Sequence, residues 1–217
     1  MTTIAGIQGD GFAVIGADTR ISSFGSDGSA YQYSHLGSGM SKISTKGKYL
    51  LGAAGDVRAI NILHHVYQPP AVAPSLKGKK LDAFVTAKVV PSIRQCFDAQ
   101  GFSPPDKDQS REHKAEQSST IVVVVNGVIY IIENDYSWSA ESTGLYACGT
   151  GSSYALGALY GLTGGKALSM HQSKQVVIKA LAAAAKFDPY SGGPYHTFTQ
   201  QSPRSEEHTS ELQSHHD

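Results

Sequence analysis

Cysteine is almost absent: Cys96 and Cys148 are the two in a chain of 217 residues. That excludes a disulfide-stapled scaffold and leaves reduced thiols in a cytosolic protein as the plain expectation. Neither sign of charge is in excess, with 18 Lys and Arg against 18 Asp and Glu. No basic field therefore exists to attract nucleic acid. No apolar run approaches the roughly 20 residues a membrane helix needs, and no basic segment leads into an apolar one as in a secretory signal. No Asn-x-Ser/Thr acceptor occurs. The expectation is a soluble intracellular protein, cytoplasmic and also nuclear if eukaryotic, with neither nucleic acid nor membrane as a partner. Catalytic signatures are missing too. There is no Gly-x-Ser-x-Gly elbow and no ATPase motif. Gly149-Thr150-Gly151 lacks the third glycine and the Lys-Ser/Thr ending of a phosphate loop. His64 and His65 are adjacent on an expected helix, so they diverge and cannot grip one metal from a common face. No metal and no cofactor are expected.

The length fits one domain, residues 1–203, with a core burying roughly 70% of the unfolded surface. Residues 204–217 break the composition and show no apolar periodicity. Arg204-Ser-Glu-Glu-His-Thr-Ser-Glu-Leu-Gln-Ser-His215 matches one reading frame of a common sequencing adapter. The expectation is a non-native tail that replaces the true C-terminus. Without it the body carries 17 positive against 14 negative charges and loses three of the nine His.

Along the body, Thr3 to Gln8 and Phe12 to Ala17 read as strands joined by Gly9-Asp10-Gly11. Ser22 to Gly39 is rich in Ser and Gly and reads as a long mobile loop. Lys48 to Ala54 reads as a short buried strand. Asp56 is placed to cap a helix from about Val57 to Tyr67. Gln68 to Lys80 is a proline-containing connection. Leu81 to Gln100 has a helical pattern that Pro91 should start, kink or split. Gly101 to Ser119 is polar and reads as a floppy excursion. Ile121 to Val125 and Val128 to Ile132 form a hairpin about Asn126-Gly127. Strands follow at Tyr136 to Glu141 and Leu145 to Cys148. Ser152 to Leu162 and Ala167 to Lys186 read as helices, and Tyr195 to Thr199 as a last strand. Strands, two helices, strands, two helices, strand is an α+β order. It predicts two antiparallel sheets face to face with a helix pair outside each, a four-layer αββα sandwich.

The start of the chain is the informative part. Met1 precedes Thr2-Thr3-Ile4, and Thr is small enough for an aminopeptidase to remove Met1. Thr2 would then hold a hydroxyl and a free α-amine on one residue, a nucleophile with its own base. With Met1 attached the chain is expected to be inactive.

Several strings together carry a resemblance. Thr2-Thr3-Ile4, Gly16-Ala17-Asp18-Thr19-Arg20, Lys42-Ile43, Gly52-Ala53-Ala54-Gly55, Cys148-Gly149-Thr150-Gly151-Ser152-Ser153-Tyr154-Ala155 and Asp188-Pro-Tyr-Ser191-Gly192-Gly193 resemble proteasome β-type subunits. The chain also resembles the simpler HslV-type protease, which starts Met-Thr-Thr. Both are N-terminal-nucleophile hydrolases with the αββα sandwich. The likeness runs from Thr2 to about Gln200 and is weakest over Gln68 to Ser118.

That resemblance implies a threonine endopeptidase acting on unfolded polypeptide inside a ring of α-type or β-type subunits. An ATP-dependent unfoldase would be a separate partner. It implies Thr2 as nucleophile, since the offset from Thr2 to Asp18 matches the family and that from Thr3 does not. Asp18 pairs with Lys42, although the segment between them is longer than usual, so Lys46 and Lys48 compete. Asp188, Ser191 and Thr150 complete a hydrogen-bond network about the Thr2 amine. Gly55 offers the oxyanion N–H, with Asp56 as the alternative register. Ile21, Ser22, Ala53 and Ala54 contact substrate. Two other readings stay open: an inactive structural ring subunit, and a small-molecule amide hydrolase of the same fold.

Overall fold

Gly11, at φ +72, closes the tight turn at Asp10-Gly11 that starts the fold. It joins β1 (Thr3–Gly9) to β2 (Phe12–Asp18), paired antiparallel from Ile4↔Ala17 to Gly9↔Phe12. The computed structural model describes residues 2–24, 30–37, 40–102 and 119–203. The expected tail at 204–217 and the bulk of the 101–119 excursion lie outside those residues.

The Ser- and Gly-rich segment is not simply a loop. β3 (Arg20–Phe24) and β4 (Ala30–His35) pair antiparallel into a two-stranded ribbon. Composition hid it, because Ser and Gly dilute the β-formers Ile21 and Tyr33. β5 (Ile43–Lys46) was also unannounced; it turns at Gly47, φ +55, into β6 (Tyr49–Ala54).

α1 (Val57–His65) starts where Asp56 accepts the Arg58 N–H. α2 (Lys79–Phe84) and α3 (Val90–Ala99) are joined by a π-helical stretch, Val85–Val89. Pro91 explains that stretch. It has no N–H to give the preceding turn, and the ladder widens, with Val90 N–H reaching Val85 O.

β7 (Thr120–Val125) and β8 (Val128–Ile132) form the expected hairpin, with Asn126 and Gly127 at φ 50 and 79. The strand expected at Tyr136 to Glu141 shrinks to β9 (Trp138–Ser139). Tyr136 is the reason: it sits at φ +65 in a turn closed by its N–H on Glu133 O, which no extended strand accommodates. β10 (Leu145–Gly149), α4 (Ser152–Thr163), α5 (Met170–Phe187) and β11 (Tyr195–Gln201) complete the chain. Ser169 and Gln172 cap α5 reciprocally.

Two antiparallel sheets result, in the orders β10-β1-β2-β11 and β5-β6-β7-β8-β9. Three apolar clusters hold them. One joins Tyr49, Leu51 and Ala53 to α1, α2 and α3. Another draws on both sheets, with Ile4, Ile15 and Cys148 beside Leu50, Val122 and Ile129. The third packs Ala5, Ile7 and Val14 on α4 and α5. The alternation along β1 and β6 makes this possible, since each strand is buried on both faces. The fold is α+β with antiparallel sheets.

Cys148 gives a test of the cluster shared by both sheets. Burial pushes its thiol up to about 12 from 9.0. Between those values the unfolded chain loses the thiol proton and the folded chain keeps it. Its stabilising contribution is therefore complete below pH 9 and declines as pH rises towards 12, by about 1.4 kcal/mol per pH unit. Urea unfolding of Cys148→Ala under reducing conditions should show a shallower alkaline decline, by about one proton. An unchanged slope would place the titration elsewhere.

Candidate active site

Asp18 ends β2, directly across the hairpin from the start of β1, and it is 1% exposed. Four donors fill its carboxylate. Oδ1 accepts the Thr3 N–H at 2.9 Å and Lys42 Nζ at 2.8 Å. Oδ2 accepts the Arg20 N–H at 3.2 Å and the Gly192 N–H at 3.1 Å. A buried carboxylate persists as an ion only when paired and hydrogen-bonded in this way.

Lys42 is as buried as its partner, and Nζ also donates to Arg20 O at 2.6 Å. Burial pulls its pKa below the ordinary lysine value; the Asp18 charge pulls it back up, and the Arg20 charge adds a smaller downward push. A lysine so placed releases a proton more readily than one in water. Lys46 and Lys48, the competitors, lie half-buried at the end of β5 and exposed in the turn after it. The longer segment between Asp18 and Lys42 is taken up by the ribbon, so the pair meets despite the added length.

The second half of the site comes from the β10–α4 junction and the turn after α5. Asp188 Oδ2 accepts the Thr150 hydroxyl at 2.7 Å and the Ser191 hydroxyl at 2.6 Å, while Oδ1 accepts the Tyr190 N–H at 3.1 Å. Ser191 Oγ lies 2.5 Å from Thr3 Oγ1. The Ser191 proton is already given to the carboxylate, so Thr3 must be the donor. Thr3 Oγ1 in turn accepts the Gly151 N–H at 3.1 Å. Every hydrogen in the chain Gly151, Thr3, Ser191, Asp188 therefore has one direction.

Thr2 is held by its backbone. Its carbonyl accepts the Thr150 N–H at 3.0 Å. Gly149, at φ +91, lets that carbonyl approach, since any Cβ there would overlap it and crowd Ala54 Cβ. The contacts of Ser191 thus converge on Thr3, the residue that offset arguments set aside, and reach Thr2 through its neighbour. The signal for Thr3 was thin: alternation gives it the opposite face from Thr2, and nothing in the string says which face meets Ser191.

Ala54 borders this corner, and its side chain lies in the cluster shared by the two sheets. Ala53 does not. One residue earlier on β6, it points to the opposite face and is fully buried among the α1 side of the core. Its expected contact with substrate is corrected by the period of two along a strand. Ile21 is half-buried and Ser22 buried on β3. Gly55, at φ +135, is exposed just beyond β6. The Asp56 N–H is already given to Ser119 Oγ at 3.1 Å and its carboxylate caps α1. Among the described residues no group of His, Cys, Asp and Glu could hold a metal ion.

By superposition this chain has the fold of HslV-type and proteasome-type β subunits, as the sequence strings suggested. A structure of Thiobacillus denitrificans BPH in complex with epoxomicin superposes with a TM-score of 0.65 at 21% identity, covering 93% of this chain and 99% of that one. A second Thiobacillus denitrificans BPH structure gives 0.63 at 19% identity, over 93% and 98%. Eukaryotic HslV from Trypanosoma brucei gives 0.58 at 14% identity, over 92% and 99%. No family model and no curated protein matches the chain.

Proposed function

We propose that this chain is a threonine endopeptidase subunit whose nucleophile is Thr2 after removal of Met1. The observation that carries the proposal is the double anchoring of the N-terminal strand. Thr3 is tied through its N–H to the Asp18–Lys42 pair and through its hydroxyl to Ser191 and Gly151. The residue before it is thereby fixed between two sets of charged and hydroxyl groups. An α-amine has a pKa of about 7.7–8.0, close to working pH, and suits the task of taking the Thr2 hydroxyl proton. Lys42, bonded to the same Asp18 oxygen as the Thr3 N–H, supplies the positive charge that lowers the cost of forming the alkoxide. The Gly55 N–H receives the tetrahedral oxygen. Asp188, Ser191 and Thr150 hold the threonine strand in place, and Ile21, Ser22 and Ala54 offer a small-walled bed for a peptide.

In this reading the two sheets stack face to face under outer helix pairs, giving four layers. Subunits close into a cytoplasmic ring with α-type or β-type partners, and a separate ATP-driven unfoldase feeds it unfolded chains. The fold shared with BPH, which has been captured with epoxomicin, and with HslV supports the class of activity.

The test compares two preparations of the full chain, one retaining Met1 and one beginning at Thr2, on fluorogenic peptides. Hydrolysis by the Thr2 form should exceed that of the other by at least about 10²-fold, the usual contribution of a positioned base. Equal rates would contradict the assignment, and silence from both in an assembled ring would favour a structural subunit.

A further inference from the structure

The two halves of the site come from opposite ends of the chain, and one side chain spans them. Arg20 follows Asp18 at the start of β3. Its backbone already serves the first half: the N–H goes to Asp18 Oδ2 and the carbonyl accepts Lys42. Its guanidinium serves the second. Nη1 donates to Pro189 O at 3.0 Å, inside the turn that carries Asp188 and Ser191. The plane of the group packs on Gly192 so closely that a Cβ at that position would overlap Nε, Cζ and Nη2. Tyr33 of the ribbon also packs on it, with the Arg20 Cζ over the ring at 5.0 Å from its centroid. Nε is buried without a hydrogen-bond partner among the described residues. An unmet buried donor is costly, so what keeps the group here is its packing and its bond to the turn.

We propose that Arg20 is a positioning residue that clamps the Asp188–Gly193 turn onto the Asp18–Lys42 corner. It thereby fixes Ser191 against Thr3. The backbone tie from Thr19 N–H to Gly192 O at 3.2 Å and that from Gly192 N–H to Asp18 are the seam it closes. Only a planar group can lie flat on Gly192 and still reach the Pro189 carbonyl, so lysine is a poor substitute. The proposal rests on the threonine-peptidase reading for its kinetic consequence, but the clamp itself can be read without activity.

Both are measured on Arg20→Ala, Arg20→Lys and the parent chain beginning at Thr2. Hydrogen exchange over residues 189–193 should quicken by about tenfold in Arg20→Ala, the scale of one lost charge-assisted bond, while β7 and α5 stay protected. Peptide hydrolysis should lose about 10²-fold in kcat with KM little changed, as when reacting groups are displaced by about 1 Å. Millimolar guanidinium should restore part of that rate, and Arg20→Lys should restore less. Unchanged exchange in the turn overturns the clamp whether or not the parent cleaves peptides. Quickened exchange with an unchanged kcat in an active enzyme overturns the positioning role. An inactive parent with quickened exchange keeps the clamp and sinks the peptidase reading instead.

Discussion

Thr2→Ala is expected to abolish peptide hydrolysis, with a loss of at least about 10⁴-fold in kcat, the scale seen when a covalent nucleophile is removed. The fold should not notice. What holds residue 2 is its carbonyl bond to the Thr150 N–H, and any residue supplies that carbonyl. The next residue keeps its own ties to Asp18 and Ser191. Thermal unfolding should therefore shift by no more than a few degrees while activity disappears. Single-turnover assays with a peptide ester and calorimetry on the same preparation separate the two effects. A variant that still cleaves at the parental rate would remove Thr2 from the mechanism.

Lys42→Ala carries the second large effect, and it should fall on stability as well as rate. Lys42 and Asp18 are 2.8 Å apart with both side chains at or near zero exposure. Removing the lysine leaves a buried carboxylate without its countercharge, which typically costs about 3–5 kcal/mol. The three backbone N–H donors that remain on Asp18 place the expectation at the lower end of that range. Hydrolysis should fall with it, by about 10³-fold or more, since the proposed mechanism loses the positive charge that eases alkoxide formation on Thr2. Urea unfolding and kcat measured together check this. Lys46→Ala is the control. It should leave both quantities near the parent, and if it silences the enzyme instead, the Asp18–Lys42 pairing is not the catalytic one.

Local chemistry with one physical solution was readable in the chain. Asn126-Gly127 demands positive φ at both positions and dictates a hairpin, which is what forms. Asp56 before an apolar helical stretch dictates an N-cap. The Asp188-x-x-Ser191-Gly192 turn and Gly149-Thr150-Gly151 stood out as strings of the resemblance, and both reach the start of the chain: Ser191 meets the Thr3 hydroxyl and Gly149-Thr150 the Thr2 carbonyl. What stayed hidden depended on partners far away in sequence. β5 is four residues long with no distinctive pattern, and it exists because β6 offers it an edge. The β3–β4 ribbon is built from a Ser- and Gly-rich segment that propensity assigns to loop. Which alanine of Ala53-Ala54 meets the site is a question of strand face, set by the packing of β6 on α1. Thr3 and Arg20 were legible as residues of the motifs, but their roles come from a turn more than 160 positions away.

The most direct test of the central claim is where an epoxyketone attaches. Such a compound closes a ring by bonding both a hydroxyl and an amine, so only a residue that owns both can hold it that way. Intact mass and peptide mapping after labelling should show a single adduct on a peptide beginning at Thr2, with Met1 gone and the α-amine no longer reactive. An unlabelled protein, an adduct on Thr3, Thr150 or Ser191, or a native chain that keeps Met1 would contradict the account.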